Sequence, residues 1–156
     1  MRSWWSNVES ADTIHEEPHG ADELLIYLHH PRQPLRAWDA ADEYLLLHLH
    51  ELAPAGSGSW LVMNDTFGAL GVALAGNQPV SVSDSVVSEL ATVANLARNA
   101  LAADAVSFAS AADPFDRLDV PDVVVMRVPA SLAQLEDQLH RLRPLLHPGT
   151  QLIVAA

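Results

Sequence analysis

Leu61–Leu74, "LVMNDTFGALGVAL", sets two apolar runs around a kink that carries Asn64, Asp65, Thr66, Gly68 and Gly71. A strand that passes into a helix through small residues is the local form of a nucleotide-type site. The helix N-terminus presents amide donors to an anion, and glycines let the backbone approach the ligand. An acid at the end of the following strand then holds ribose hydroxyls. Asp84, which ends "VSVSD" nineteen residues past Asp65, stands in that position. The glycines serve the kink less well, because Asn64 and Thr66 bring side chains to where bare backbone is needed. Gly68 and Gly71 therefore read better as close strand-to-helix packing than as a cradle. Asp84 has a second reading as the N-cap of the helix that opens with "SVVSELA", the reading favoured by the general preference for Asp at that position.

"HEEPH", His15–His19, matches the zinc-binding pattern His-Glu-x-x-His. The pattern works on a helix, where i and i+4 imidazoles share a face, and Pro18 inside it with Gly20 after it argues against a helix. His48 and His50 lie two apart on an expected helix, and His29 and His30 adjoin on an expected strand, so neither pair converges. No metal site is expected. Twenty Asp and Glu against eight Arg, with no Lys, give a formal net charge of −12. Nucleic-acid affinity comes mainly from Lys and Arg displacing counterions, so this chain alone is a poor candidate for RNA or DNA binding. Without cysteine there is neither a disulfide nor a thiolate metal site. No apolar run reaches membrane-spanning length, which makes a cytoplasmic protein without membrane contact the default expectation.

These residues need elements to hold them. A chain of 156 residues that is 49% apolar is long enough for one domain with a core. Residues 1–20 read as a loose, acidic lead-in, and the domain as residues 21–156. "LLIYLHH", Leu24–His30, reads as a short strand closed by "PRQP". Apolar positions 37, 41, 44, 45, 49 and 52 predict a helix over 37–52. After "PAGSGS" the expected order is strand 60–63, helix from 68, strand 80–83, helix 86–101, strands 105–109 and 122–128, helix 132–146 and strand 151–155. That alternation implies right-handed crossovers and a parallel sheet, and "VVVM" and "LIVAA" are apolar enough to be covered on both faces. The helix at 132 has Ser131 and Gln134 as a capping box and Leu132, Leu135, Leu139 and Leu142 as its apolar stripe.

This arrangement resembles a class I S-adenosylmethionine-dependent methyltransferase, an α/β Rossmann-like fold whose loop reads acid-x-Gly-x-Gly-x-Gly. On that pattern Val62 falls at the acid, Asn64 and Thr66 at the first two glycines and Gly68 at the third. The catalytic Asn/Asp-Pro-Pro-aromatic of nucleic-acid-modifying members falls on Arg127, Val128, Pro129 and Ala130 in "DVVVMRVPA". An arginine cannot accept a hydrogen bond from the target amine, and no ring remains to stack on a base. "LRAWDAADEYLL", "LVMNDTFGALGVAL", "SVSDSVVSELATVANL" and "VVVMRVPASLAQLEDQL" resemble, over about residues 35–156, the N-terminal half of the large-subunit ribosomal RNA guanine-N2 methyltransferases. In that family a C-terminal half binds the cofactor and carries catalysis, while the N-terminal half keeps the fold without the site.

The resemblance implies a non-catalytic domain that supports a catalytic methyltransferase domain, here expected to lie outside the chain, and helps to hold ribosomal RNA. Asp84, Gly68 and Asn64 are then the vestigial cofactor positions, and S-adenosylmethionine is expected to go unbound. Arg127, Arg141 and Arg143 are candidate RNA contacts, although a solvated helix end accounts equally for the last two. Trp4, Trp5 and Trp60 could stack on bases, with burial the more usual fate for Trp60. Two alternatives remain open: a free-standing interaction module, and a methyltransferase that binds its cofactor through an unusual loop. The expected last strand, 151–155, leaves a sheet edge that could pair with a second copy as a homodimer, directly or through the helix at 132–146.

Overall fold

The computed structural model describes residues 38–52, 58–113 and 115–156. The expectations for the lead-in, for Leu24–His30, for His15–His19 and for Trp4 and Trp5 lie outside the described residues. The elements in chain order are α1 (Ala40–Leu52), β1 (Trp60–Met63), α2 (Ala69–Ala73), β2 (Val80–Val82), α3 (Val86–Arg98), β3 (Ser107–Ala109), β4 (Val123–Arg127), α4 (Leu132–Leu142) and β5 (Gln151–Ala155). Five strands form one parallel sheet in the order β3-β2-β1-β4-β5. The order reverses between β1 and β4, and the crevice above their carboxyl ends is where open α/β sheets bind ligands.

Alternation along the strands divides the core into two layers. Trp60 and Val62 of β1, Val123 and Val125 of β4 and Ile153 of β5 face α1 and α2, meeting Leu45, Leu46, Leu49, Leu70 and Leu74. Leu61, Met63, Val124 and Met126 face the other way, onto Phe115, Leu142 and Leu145. Trp60 is thus a core residue. Both faces of the sheet are covered, as the unbroken apolar strands require.

Several element ends differ from the spacing-based expectations, each for a local reason. α1 starts at Ala40 because Asp39 caps it: its Oδ1 accepts from the amides of Ala41 and Asp42 at 2.9 and 3.3 Å. α3 stops at Arg98 because Ala100 adopts a left-handed φ of 53°, and the amide of Leu101 donates back to the carbonyl of Leu96. α4 gives way to a 3-10 turn at Arg143–Leu145, where Pro144 cannot continue the ladder. The expected stripe of α4 is also corrected. Leu142 is buried, but Leu132 and Leu139 are exposed, and the polar Gln138 occupies the inward position. In α1, Tyr44 and Leu52 from the expected stripe likewise face outward.

Candidate functional site

The turn after β1 begins with Asn64 in the left-handed region, φ 62°, which asparagine tolerates better than most residues. This conformation turns its side chain across the crevice. Asn64 Nδ2 donates to the carbonyl of Arg127 at 2.7 Å and to Gln138 Oε1 at 2.9 Å, and Gln138 Nε2 donates back to Asn64 Oδ1 at 2.8 Å. The paired amides tie the ends of β1 and β4 to α4 over the switch point of the sheet. The crevice that remains, about 240 Å³, is lined by Ser83, Asp84, Ser85 and Gln134 together with this pair.

Asp65 comes next, and its carboxylate folds back onto the start of α2. Its Oδ1 accepts from the amide of Gly68 at 3.0 Å and its Oδ2 from the amide of Gly71 at 2.8 Å. These are the donors that a nucleotide-type loop offers to a ligand anion, and here the chain's own carboxylate takes them. Asp65 is buried, and Ser88 of α3 donates a hydrogen bond to its carbonyl. Burial pushes the Asp65 carboxyl up to about 6, and the nearby Asp42 adds to the rise, against the pull of the Gly71 and Gly68 amides. Gly68, at φ 83°, leaves no room for a side chain: a Cβ there would lie 2.3 Å from Thr92 Oγ1 and 2.6 Å from Thr92 Cα. Its glycine is required for left-handed backbone and close packing of the turn on α3. Gly71 has ordinary clearance, with the nearest atom 3.5 Å from a built Cβ.

Asp84 is exposed in the crevice and does not cap α3. The cap is Ser85, whose Oγ accepts from the amide of Ser88 at 3.2 Å. The helix begins one residue too late for Asp84 to reach the third amide, which corrects the preferred reading of that residue.

Arg127 turns its guanidinium inward to the start of α1. Nη1 meets Asp42 Oδ2 at 2.9 Å and Nη2 meets Asp39 Oδ2 at 2.7 Å. Burial raises the Asp42 carboxyl, the opposing hydrogen bond from the Asp39 amide and the charge of Arg127 notwithstanding. Burial acts upward on Asp39 too, but hydrogen bonds from Arg127 and from the amides of Asp42 and Ala41 leave it below the usual range. Arg141 lies over the Phe115 ring, 4.3 Å from its centre, donates to the carbonyls of Ala111 and Asp113, and meets Asp137 at 3.5 Å. Arg143 is exposed at the end of α4. No group of three potential metal-ligating side chains forms among the described residues. No described helix is long and apolar enough to cross a membrane.

Asp65 and Gln138 carry this site, and reading the sequence by ligand chemistry passed over both. The available signal was the spacing Asp-x-x-Gly at 65–68, which suits a carboxylate that caps the turn following it. One pH effect follows. The folded Asp65 holds its proton up to about pH 6, against an ordinary value of 3.8, so stability is greatest below the lower value and falls as pH rises through the interval. Asp65→Asn removes that titration. Urea unfolding of both forms from pH 4 to pH 7 should show the unmodified chain losing on the order of 3 kcal/mol relative to the variant. A constant difference across the window would refute this account of the carboxylate.

Similarities to known proteins agree with this geometry. The profile of the RLMG N-terminal domain family matches residues 16–156. The Streptomyces griseus subsp. griseus protein "Ribosomal RNA large subunit methyltransferase G" is 52% identical over 138 residues, which cover 86% of this chain and 35% of that protein. The chain thus spans little more than a third of the length of the curated relatives it matches. Among solved structures, a precorrin 8W decarboxylase of Methanobacterium thermoautotrophicum superposes with a TM-score of 0.64 at 22% identity, over 83% of this chain and 69% of that one. A ribosomal protein L11 methylase of Lactobacillus delbrueckii subsp. bulgaricus gives 0.60 at 18%, over 75% and 60%. At such identities the likeness is one of fold, the Rossmann-like α/β fold of class I methyltransferases. With its fold and nine-tenths of its length accounted for, the chain belongs to the RLMG N-terminal domain family.

Proposed function

We propose that this chain acts as the non-catalytic N-terminal domain of an S-adenosylmethionine-dependent ribosomal RNA guanine-N2 methyltransferase, supporting the catalytic domain and contributing to its hold on RNA. The observation that carries the reading is Asp65 in the amide nest at the start of α2. A cofactor of the family's type would have to displace a buried carboxylate and separate the Asn64–Gln138 pair, and no glycine stands at position 64 or 66 to let the backbone approach it. These residues do not fit S-adenosylmethionine. The Arg127 side chain, at the position of the family's hydrogen-bond acceptor, is committed to Asp39 and Asp42.

Calorimetric titration of the domain with S-adenosylmethionine should therefore give no saturable binding tighter than about 1 mM, equivalent to about 4 kcal/mol. Micromolar affinity would restore the reading of a methyltransferase with an unusual loop.

RNA contact by this domain is expected to be weak. Arg127 and Arg141 are engaged internally, which leaves Arg143 as the exposed member of the three candidates, on a chain of net charge −12. Gel-shift titrations with ribosomal RNA fragments should show binding at low salt only, reduced further by Arg143→Ala. Tight complexes that persist at physiological salt would contradict it.

A second reading, an interaction module, is favoured by β5. Among the described residues it pairs with β4 alone, and Leu152 and Val154 are exposed beside a groove formed with Tyr44 and His48 of α1. An apolar edge strand is a template for another strand, including that of a second copy. Sedimentation equilibrium should detect self-association that Val154→Lys, at an exposed edge position, weakens; Ile153 is a core residue, and a charge there would disturb the fold. A monomer at high micromolar concentration for the unmodified chain would remove this reading.

A further inference from the structure

α1 carries a carboxylate in its buried stripe. Its buried residues are Ala41, Asp42, Leu45, Leu46 and Leu49. The three leucines meet Leu70 and Leu74 where α1 packs on α2, and just before the helix Trp38 packs with Phe67 on Ala69. Asp42 stands four residues after Trp38 and three before Leu45, on the face that both contacts share. It is therefore held over the turn that contains Asp65. Both carboxyls are 2% exposed.

Their bonding is uneven. Asp42 Oδ2 takes two donors, Arg127 Nη1 at 2.9 Å and the Asp39 amide at 3.1 Å, while Asp42 Oδ1 is buried with no partner. A buried acceptor without a donor is a cost that folded proteins rarely leave standing. Asp65 rests on the amides of Gly68 and Gly71, and the Arg127 guanidinium is divided between Asp39 and Asp42. Glu43 of α1 is exposed and accepts from Trp38 Nε1. α3 brings Ser88, Thr92 and Asn95 to the turn, and its charged residues, Glu89 and Arg98, are exposed. Among these groups three carboxyls, those of Asp39, Asp42 and Asp65, thus gather around one cation. Burial raises the Asp65 carboxyl most, against the amide of Gly71, and the charge of Asp42 raises it further.

We propose that Asp42 and Asp65 form a coupled carboxyl pair that holds one proton at low pH, and that release of this proton loosens the seating of α1 on the β1–α2 turn. In the protonated pair the proton resides on Asp65, whose hydroxyl is a donor for the unpartnered Asp42 Oδ1, and Asp42 stays ionised opposite Arg127. As pH rises the proton passes to solvent and the cluster gains one negative charge. Two buried carboxylates then repel each other. The repulsion falls on the contact between α1 and the turn, because each of these elements supplies one member of the pair.

NMR titration of the 156-residue chain, labelled with 13C at the aspartate carboxyl carbons, reads each member directly. Asp65 should titrate at about pH 6, and Asp42→Asn should move that midpoint down by about one unit. By linkage, Asp65→Asn should lower the Asp42 midpoint by an equal shift, which decides the matter even where Asp42→Asn weakens the fold. Asp39→Asn, which keeps a capping side chain and removes one bond to Arg127, should leave the Asp65 midpoint in place. A midpoint of Asp65 that Asp42→Asn does not move, or moves no further than Asp39→Asn does, would overturn the pair, as would an Asp42 midpoint indifferent to Asp65→Asn. Hydrogen exchange reads the mechanical consequence. Protection of the α1 amides, expressed relative to the unstructured chain at each pH, should fall between about pH 5 and about pH 7 in the unmodified chain and stay level in Asp42→Asn and Asp65→Asn. A level response in the unmodified chain, or a fall that persists in both variants, would overturn the loosening of α1.

Discussion

The turn between β1 and α2 is organised around one buried carboxylate. Asp65 has lost its hydration, and what replaces the water is a pair of amides, those of Gly68 and Gly71, with the carbonyl of the same residue tied to Ser88. The amides must point inward, which requires Gly68 at positive φ and forces the turn against Thr92. The polar inner face of α3 follows from this. A helix that packs on a loop full of carbonyls has to present donors, and Ser88 and Asn95 supply them to residues 65 and 67. A buried carboxylate thus fixes the turn, the packing of α3 and the polarity of its buried face.

A second polar assembly links to the first through the carboxyl ends of β1 and β4. Asn64 is bonded both to the backbone of Arg127 and to Gln138, while the Arg127 side chain grips Asp42 and Asp39 at the start of α1. Removal of the arginine would leave Asp42, which is buried, without its counter-charge, the kind of loss that costs far more than an exposed pair contributes. Amides and an ion pair therefore brace the region that an open α/β sheet normally keeps for ligands.

The parts of the fold legible in the sequence are those whose signal is local. The strands at 60–63 and 151–155 fall where the apolar runs place them, because few other conformations suit such residues beside turn signals. α4 is legible as a helix, from its cap and its spacing, yet its orientation is not. Gln138 is drawn inward by a partner 74 positions away, and that contact outweighs burial of Leu132 and Leu139. The end of α3 depends on a left-handed Ala100, a conformation that alanine composition does not announce. The departures from the family's loop were legible, with Asn64 and Thr66 in place of glycines and Arg127 in place of an acceptor. The internal bonds around them were not, because an acid in such a loop reads as a ligand contact, and the partners of Arg127 lie 85 and 88 positions away.

Charge bears on how such a domain could serve an RNA-directed enzyme. With a net of −12 and no lysine, every arginine used internally deepens the negative field at the surface. Arg127 and Arg141 are used in this way, one between two aspartates and the other against Phe115 and two carbonyls. A domain evolved mainly to grip a phosphate backbone would keep those cations outside, where they release counterions. Their placement favours support of a neighbouring domain as the principal task within the proposed function. The exposed apolar side chains of β5, Leu152 and Val154, point in the same direction, since surfaces of that kind stabilise by being covered with other apolar groups and contribute nothing to the binding of an anion.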